Sequence, residues 1–224
     1  MSTEASQAEL IKRISSIVGH ELRNPLAALN NSAYFVKAKL SAGGSIDPKV
    51  EKHLGIMASE IQRADRMIAD MLSFSRALEL SKTPTDLVAA AKSAVEQTES
   101  PAGVKVSLKA PKGAIEANVD GARVVAAVRR LIDNAVEACG EKGSVTVTVA
   151  KDKSRAVFEV VDTGGGVKPE LLPHLFEPFR TGKPRGLGLG LALARKIVEA
   201  HGGKAEGANE GGGARFKLSV PIDG

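Results

Sequence analysis

The sequence predicts an α+β protein in two parts. An N-terminal antiparallel helical hairpin, closing as a dimeric four-helix bundle, precedes an α/β sandwich with a mixed sheet. Three observations carry this. Apolar residues recur at helical spacing in two long runs, parted by a Gly-rich turn at Ser41 to Pro48. That pattern stops at Ser81-Lys-Thr-Pro-Thr85. Beyond it, short alternating strands mix with helices without strict βαβ order, which favours a mixed sheet with helices over one face. The expected domains are residues 1–81 and 82–224.

The first apolar stripe is Leu10, Ile14, Ile17, Val18, Leu22, Leu26, Leu29, Ala33, Val36 and Leu40, giving a helix from about Glu9 to Leu40 after a polar, frayed start. Pro25 lies inside it and should bend it. The second stripe, from Val50 through Leu54, Ile61 and Ile68 to Leu78, gives a helix to about Leu80. One hairpin with one stripe per helix buries too little apolar surface alone, so two hairpins should pair. After the break, Thr85 is expected to cap a helix to about Thr98. Strands are expected at Val104–Leu108, Ser144–Val149 and Ala156–Val161, the last two joined at Lys151–Ser154. Asp120 opens a helix that Gly140 ends, another runs from about Gly190 to His201, and two final strands cover about Lys204–Ala208 and Ala214–Val220.

Composition narrows the function. The chain has 224 residues, 43% of them hydrophobic and 25% charged, an ordinary globular balance. Net charge is +5 and is spread along the chain, and aromatics make up only 3% with no Trp, which argues against stacking on single-stranded nucleic acid. The single cysteine, Cys139, excludes an internal disulfide and suits a reducing compartment. The four histidines are far apart, so no metal cluster is expected. No apolar run approaches the roughly 18 residues of a membrane span. The N-terminus does not read as a signal peptide, so a cytoplasmic setting is expected.

Five stretches carry chemistry. In Val18-Gly-His-Glu-Leu-Arg-Asn-Pro-Leu26, His20 falls opposite the apolar stripe, Glu21 flanks it, and Asn24 lies one turn on along the same face. A neutral imidazole is a nucleophile near pH 7 and an adjacent carboxylate can take its proton. In Leu131-Ile-Asp-Asn-Ala-Val-Glu137, Asn134 offers an oxygen of the kind Mg²⁺ accepts. In Asp162-Thr-Gly-Gly-Gly-Val167, a carboxylate at a strand end can accept a hydrogen bond from an exocyclic amine such as that of adenine, and glycines allow close backbone approach. Phe176 and Phe179 flank Glu177-Pro178 as apolar anchors of a polar loop with Arg180, Lys183 and Arg185, cations suited to phosphates. Gly186-Leu-Gly-Leu-Gly-Leu191 runs into a helix whose first amides make an anion site. It is neither a P-loop nor a Rossmann fingerprint.

In this order and spacing, the five stretches resemble the H, N, G1, F and G2 boxes of the two-component sensor histidine kinases, over about Glu9 to Val220. The short loop with Thr181 and Lys183 is similar to the short-lid members of that family. The resemblance implies a dimerisation and phosphotransfer domain over 1–81 and a Bergerat-type ATP-binding domain over 82–224. His20 would be the phosphoacceptor, Glu21 its acid–base partner, and Asn24 would orient water for dephosphorylating a response regulator. Asn134 would hold Mg²⁺ and Asp162 the adenine amine. Gly164 and Gly166 would sit on the lid's hinge side, Lys183 and Arg185 would meet phosphates, and Gly186, Gly188 and Gly190 would let the triphosphate approach. ATP and Mg²⁺ are the implied cofactors; a second copy of the chain and a receiver domain are the implied partners. The sequence departs from the commonest pattern at Gly19, at Thr163, and at Arg130, which stands where a second Asn often precedes Asn134. The alternative reading is a non-catalytic dimeric scaffold that binds a response regulator; intact His20, Asn134, Asp162 and Lys183 speak against it.

Overall fold

The computed structural model describes the backbone of residues 2–44, 46–183 and 186–222, and side chains from residue 22 onward within them. The chain forms two compact units, Met1–Ala77 and Leu78–Gly224.

The first unit is a helical hairpin of α1 (Ser2–Ala42) and α2 (Pro48–Ser75). Helix α1 starts at Ser2 rather than near Glu9. Residues 2–8 contain no Pro or Gly, and Ala, Glu and Gln there are good helix formers. It continues through Pro25 as helix. Helix α2 begins with Asp47, whose carboxylate accepts from the Lys49 N–H at 2.7 Å, and with Pro48 in the first turn, where no amide is needed. It ends at Ser75, five residues before the expected stop: Arg76 is extended, and Leu78 packs on the core of the second unit instead of prolonging the stripe. Ala33, Leu54, Ile68 and Leu72 are buried in the hairpin, and Arg23 Nε lies 3.3 Å from Asp65 across it. Leu22, Leu29, Val36 and Leu40 share the α1 stripe with Ala33 yet stay 42–52% exposed, as do Val50, Ile56 and Met57 on α2 to a similar degree. One hairpin thus covers only one edge of its own apolar stripe.

The second unit runs β1 (Thr83–Asp86), α3 (Leu87–Glu96), β2 (Val104–Lys109), β3 (Glu116–Val119), α4 (Gly121–Cys139), β4 (Gly143–Asp152), β5 (Arg155–Asp162), a short 3-10 helix (Pro169–His174), α5 (Gly190–Ala200), β6 (Lys204–Glu210) and β7 (Gly213–Pro221). Five strands make a mixed sheet in the order β2-β4-β5-β7-β6, parallel only between β2 and β4. Alternate residues point to one face: Val145, Val147 and Val149 on β4, Ala156, Phe158 and Val160 on β5, and Phe216, Leu218 and Val220 on β7 are buried under α3, α4 and α5. Each large side chain fully buried there contributes roughly 1.5–3 kcal/mol. The β5 alternation carries to its last residue and turns the Asp162 side chain inward.

Two elements differ from the sequence expectation. A separate antiparallel ribbon pairs β1 with β3, and neither four-residue strand is long enough to show an alternating pattern. The cap of α3 is Asp86, not Thr85. Asp86 Oδ1 accepts from the Val88 N–H at 2.9 Å and the Ile115 N–H at 3.3 Å, while the Thr85 hydroxyl donates to the Thr83 carbonyl at 2.9 Å within the ribbon. Charge outcompetes hydroxyl here, because the carboxylate serves two amides at once.

The start of α4 is fixed from both sides. Asp120 caps it, accepting from the Arg123 N–H on one oxygen and the Ser81 N–H on the other, both at 3.1 Å. Its own N–H donates to Nε2 of buried His201, 3.0 Å away, and His201 Nδ1 lies 2.8 Å from the Ile197 carbonyl. Those partners assign the proton to Nδ1 in a neutral ring. Replacing His201 with Leu keeps apolar volume but strands a part-buried amide, and should lower stability to urea by about 1 kcal/mol. A midpoint unchanged from wild type would show that the bond is dispensable.

Candidate functional site

Helix α4 builds one wall. Its inner face (Val124, Val128, Leu131, Ile132, Ala135) is locked into the core, which leaves Asn134 and Glu137 on the outer side, one turn apart. Lys183 reaches this wall from the loop after Phe179. Its ammonium donates to Asn134 Oδ1 at 2.7 Å, the Asn134 carbonyl at 3.4 Å and Glu137 Oε2 at 2.6 Å.

Asp162 is the floor. It is 2% exposed. Oδ1 accepts from the Gly164 N–H at 2.8 Å and the Ala214 N–H at 3.2 Å, whereas Oδ2 is buried with no partner among the described residues. An unmatched buried acceptor costs about 1–3 kcal/mol, more when charged, and a donor on a bound ligand would satisfy it. The glycine after Thr163 is required by proximity: a Cβ on Gly164 would come within 2.6 Å of the Ala138 carbonyl oxygen of α4. The rest of the turn is clipped by Asn209, whose Oδ1 accepts from the Val167 N–H and whose Nδ2 donates to the Val167 carbonyl, both at 2.7 Å, beside Gly166.

The other wall is the loop between the 3-10 helix and α5. Leu175 and Phe176 pack on the core, as an anchor should. Phe179 does not: it is 52% exposed, with φ +62°. A bulky residue there is strained, and it is held by its N–H donating to the Gly188 carbonyl at 3.1 Å. Gly188 must be glycine in turn, since its φ is +67° and a Cβ would press on the Arg180 backbone. Gly186 lies beside Thr181, and Gly190 is the first residue of α5, whose preceding Leu189 provides no side-chain cap. The opening amides of α5 therefore have no side chain of Leu189 competing for them.

The structure thus brings Asn134, Asp162, Gly164, Gly166, Lys183, Gly186, Gly188 and Gly190 into the second unit on α4, the end of β5 and the approach to α5. Asn24 is exposed on α1. The side chains of His20 and Glu21, and all of Arg185, lie outside the described residues. Sequence reasoning missed three participants. Glu137 was inside a recognised stretch but its partner is 46 residues away. Asn209 and Gly213 sat between the last two expected strands, yet a Cβ on Gly213 would collide with the Asp162 carbonyl.

Residues 10–79 match the His Kinase A phospho-acceptor domain, and residues 119–224 match the histidine kinase-, DNA gyrase B- and HSP90-like ATPase domain. The sensor histidine kinase ZraS of Escherichia coli O157:H7 is 30% identical over 92% of this chain and 45% of its own length. The structure of full-length ShkA in complex with AMPPNP superposes with TM-score 0.71 at 26% identity, over 94% of this chain and 46% of that one. The histidine kinase ThkA, solved in complex with the response regulator TrrA, shares the fold with TM-score 0.68 at 21% identity, over 99% of this chain and 64% of that one. The chain carries both domains of the two-component histidine kinases, a helical phospho-acceptor region followed by a mixed-sheet α/β ATPase domain. It spans between a quarter and just under half of the length of the curated relatives it matches. No helix among the described residues is long and apolar enough to cross a membrane.

Glu177 joins the base of the loop to its anchor. His174 Nδ1 lies 2.7 Å from Oε1, and Arg180 Nε 3.3 Å from Oε2. The hydrogen bond from His174 holds the Glu177 carboxyl below its ordinary range, with charge attraction from His174 and the Arg180 contacts adding to it against a desolvation effect of opposite sign. The folded-state value is depressed, so the clamp is complete above the ordinary glutamate range and is lost only as pH falls through the depressed value. Replacing His174 with Ala should raise the Glu177 titration toward that ordinary range in a carboxyl NMR experiment; an unmoved titration would remove His174 as the cause.

Proposed function

We propose that this chain is an ATP-dependent, autophosphorylating protein-histidine kinase that passes the phosphoryl group from His20 to an aspartate of a response regulator. The observation that carries the reading is Asp162: a buried carboxylate with one oxygen satisfied by backbone and the other, Oδ2, awaiting a donor. The exocyclic amine of adenine supplies one. The glycine turn beside it admits a flat base close to the backbone.

The remaining parts follow the triphosphate outward. The amides opening α5 take phosphate oxygens, and Lys183 with Arg185 adds positive charge. Asn134 Oδ1 is an oxygen donor suited to Mg²⁺, which when bound neutralises charge on the phosphates. An imidazole nitrogen of His20 attacks the γ-phosphorus in line; the N–P bond forms as the bond to the β–γ bridging oxygen breaks and ADP leaves. Glu21 takes the proton from the other ring nitrogen. Phosphohistidine is then the donor to a receiver aspartate, and Asn24, on the same helix, orients water for the opposing dephosphorylation. Residues 1–81 serve as the dimerisation and phosphotransfer domain and residues 82–224 as the ATP-binding domain. Use of ATP and a lone free cysteine suit the cytoplasm. The response regulator is supported by the family and by the complex in which ThkA was solved.

With γ-labelled ATP and Mg²⁺, the chain should acquire acid-labile, base-stable label that is absent from His20→Ala. Label that persists in that variant would put the acceptor elsewhere, and a wild type that binds ATP but takes no label would sink the kinase reading. The exposed half of the α1 stripe supports a homodimer. Light scattering at micromolar concentration should give twice the chain mass for wild type and the chain mass for Leu29→Glu; a monomeric wild type would overturn the dimer.

A further inference from the structure

The Lys183 ammonium has three protons, and all three are used on α4: Asn134 Oδ1, the Asn134 carbonyl and Glu137 Oε2. The shortest of these contacts is the ion pair with Glu137, at 2.6 Å. Asn134 Oδ1, at 2.7 Å from the same ammonium, is also the oxygen suited to a divalent cation. A divalent cation held by that oxygen would share it with the ammonium, and two cations on one neutral acceptor repel.

We infer that Glu137 is a positioning residue that holds Lys183 on Asn134 Oδ1, so that Lys183 and a divalent cation compete for one oxygen. The inference rests on the nucleotide reading above and adds an ordering to it. Lys183 cannot offer a proton to phosphate without giving up a partner on α4. A cation that takes Asn134 Oδ1 displaces Lys183 and frees protons for phosphate. Cation entry and engagement of the loop lysine are therefore coupled, each favouring the other once nucleotide is present. Glu137 sets the threshold, because the ion pair has to break first. The Glu137 side chain is 62% exposed and the Lys183 side chain 34%, so the threshold is modest.

The test uses binding rather than turnover. Anisotropy of a fluorescent ADP analogue is measured for wild type, Glu137→Gln, Lys183→Ala and the double variant, first in EDTA and then through a Mg²⁺ titration. Glu137→Gln should tighten cation-free binding by about threefold to fivefold, the scale of an exposed ion pair. It should also lower the Mg²⁺ concentration needed for half-saturation. In the Lys183→Ala background the same substitution should change neither. A gain that persists without Lys183 would mean plain repulsion between Glu137 and phosphate, and would overturn the inference. So would a higher Mg²⁺ requirement, which would make Glu137 a metal ligand, or no change at all. Asp162→Asn is the control on the nucleotide reading: wild type should bind the analogue with Mg²⁺ and this variant should not. Should wild type fail to bind, the reading falls and takes the inference with it; should it bind while Glu137→Gln changes nothing, the inference alone falls.

Discussion

The structure of the second unit depends on how Asp162 is buried. A carboxylate at a strand end would ordinarily turn to water. Here the alternation along β5 sends it inward, below Val160 and Phe158 in the same row. Two backbone amides, from the glycine turn and from β7, satisfy one oxygen and fix the side chain. That arrangement demands close neighbours without side chains. Gly164 has α4 against it, and Gly213 has the Asp162 backbone against it. The glycines of this region are therefore not slack. They are what lets α4, the end of β5 and the start of β7 meet around one acid.

This explains which parts were legible in the sequence. Helix α4 could be read from end to end, because Asp120, the apolar spacing and Gly140 are local signals, and the structure places its cap and its stop at those residues. The central strands were legible from their alternation, and the mixed sheet from the lack of βαβ order. What failed was non-local or too short. The β1–β3 ribbon is held by pairing across 30 to 36 residues, not by a pattern in either strand. Leu78 fitted the α2 stripe by spacing but belongs to another core. Phe179 looked like an anchor by type, but it is 52% exposed, on a backbone of positive φ that no local pattern announces.

The same division holds for the site. Asn134, Asp162 and the glycines carry chemistry that residue type and order disclose. Glu137 and Asn209 act through partners that are 46 and 42 residues away, so no local motif points to them. Asn209 shows what such a residue does: with one amide group it satisfies both the donor and the acceptor of Val167 and pins the turn that follows Asp162. Amides are suited to that work because they donate and accept in one plane, which a carboxylate does not.

The hairpin obeys a different constraint. Its helices are long, so each presents many turns of apolar stripe, yet two antiparallel helices shield each other along a single line of contact. Ala33 lies on that line and is buried; Leu29 and Val36, on the same stripe but rotated from it by some tens of degrees, are not. No rearrangement of two helices removes this, because turning one to bury Leu29 exposes Ala33. A second hairpin, offering the same edge, would cover both stripes without altering either. In the proposed homodimer, identical chains related by a two-fold axis would bring the same uncovered edge together, so that one apolar pattern would specify both the hairpin and its pairing.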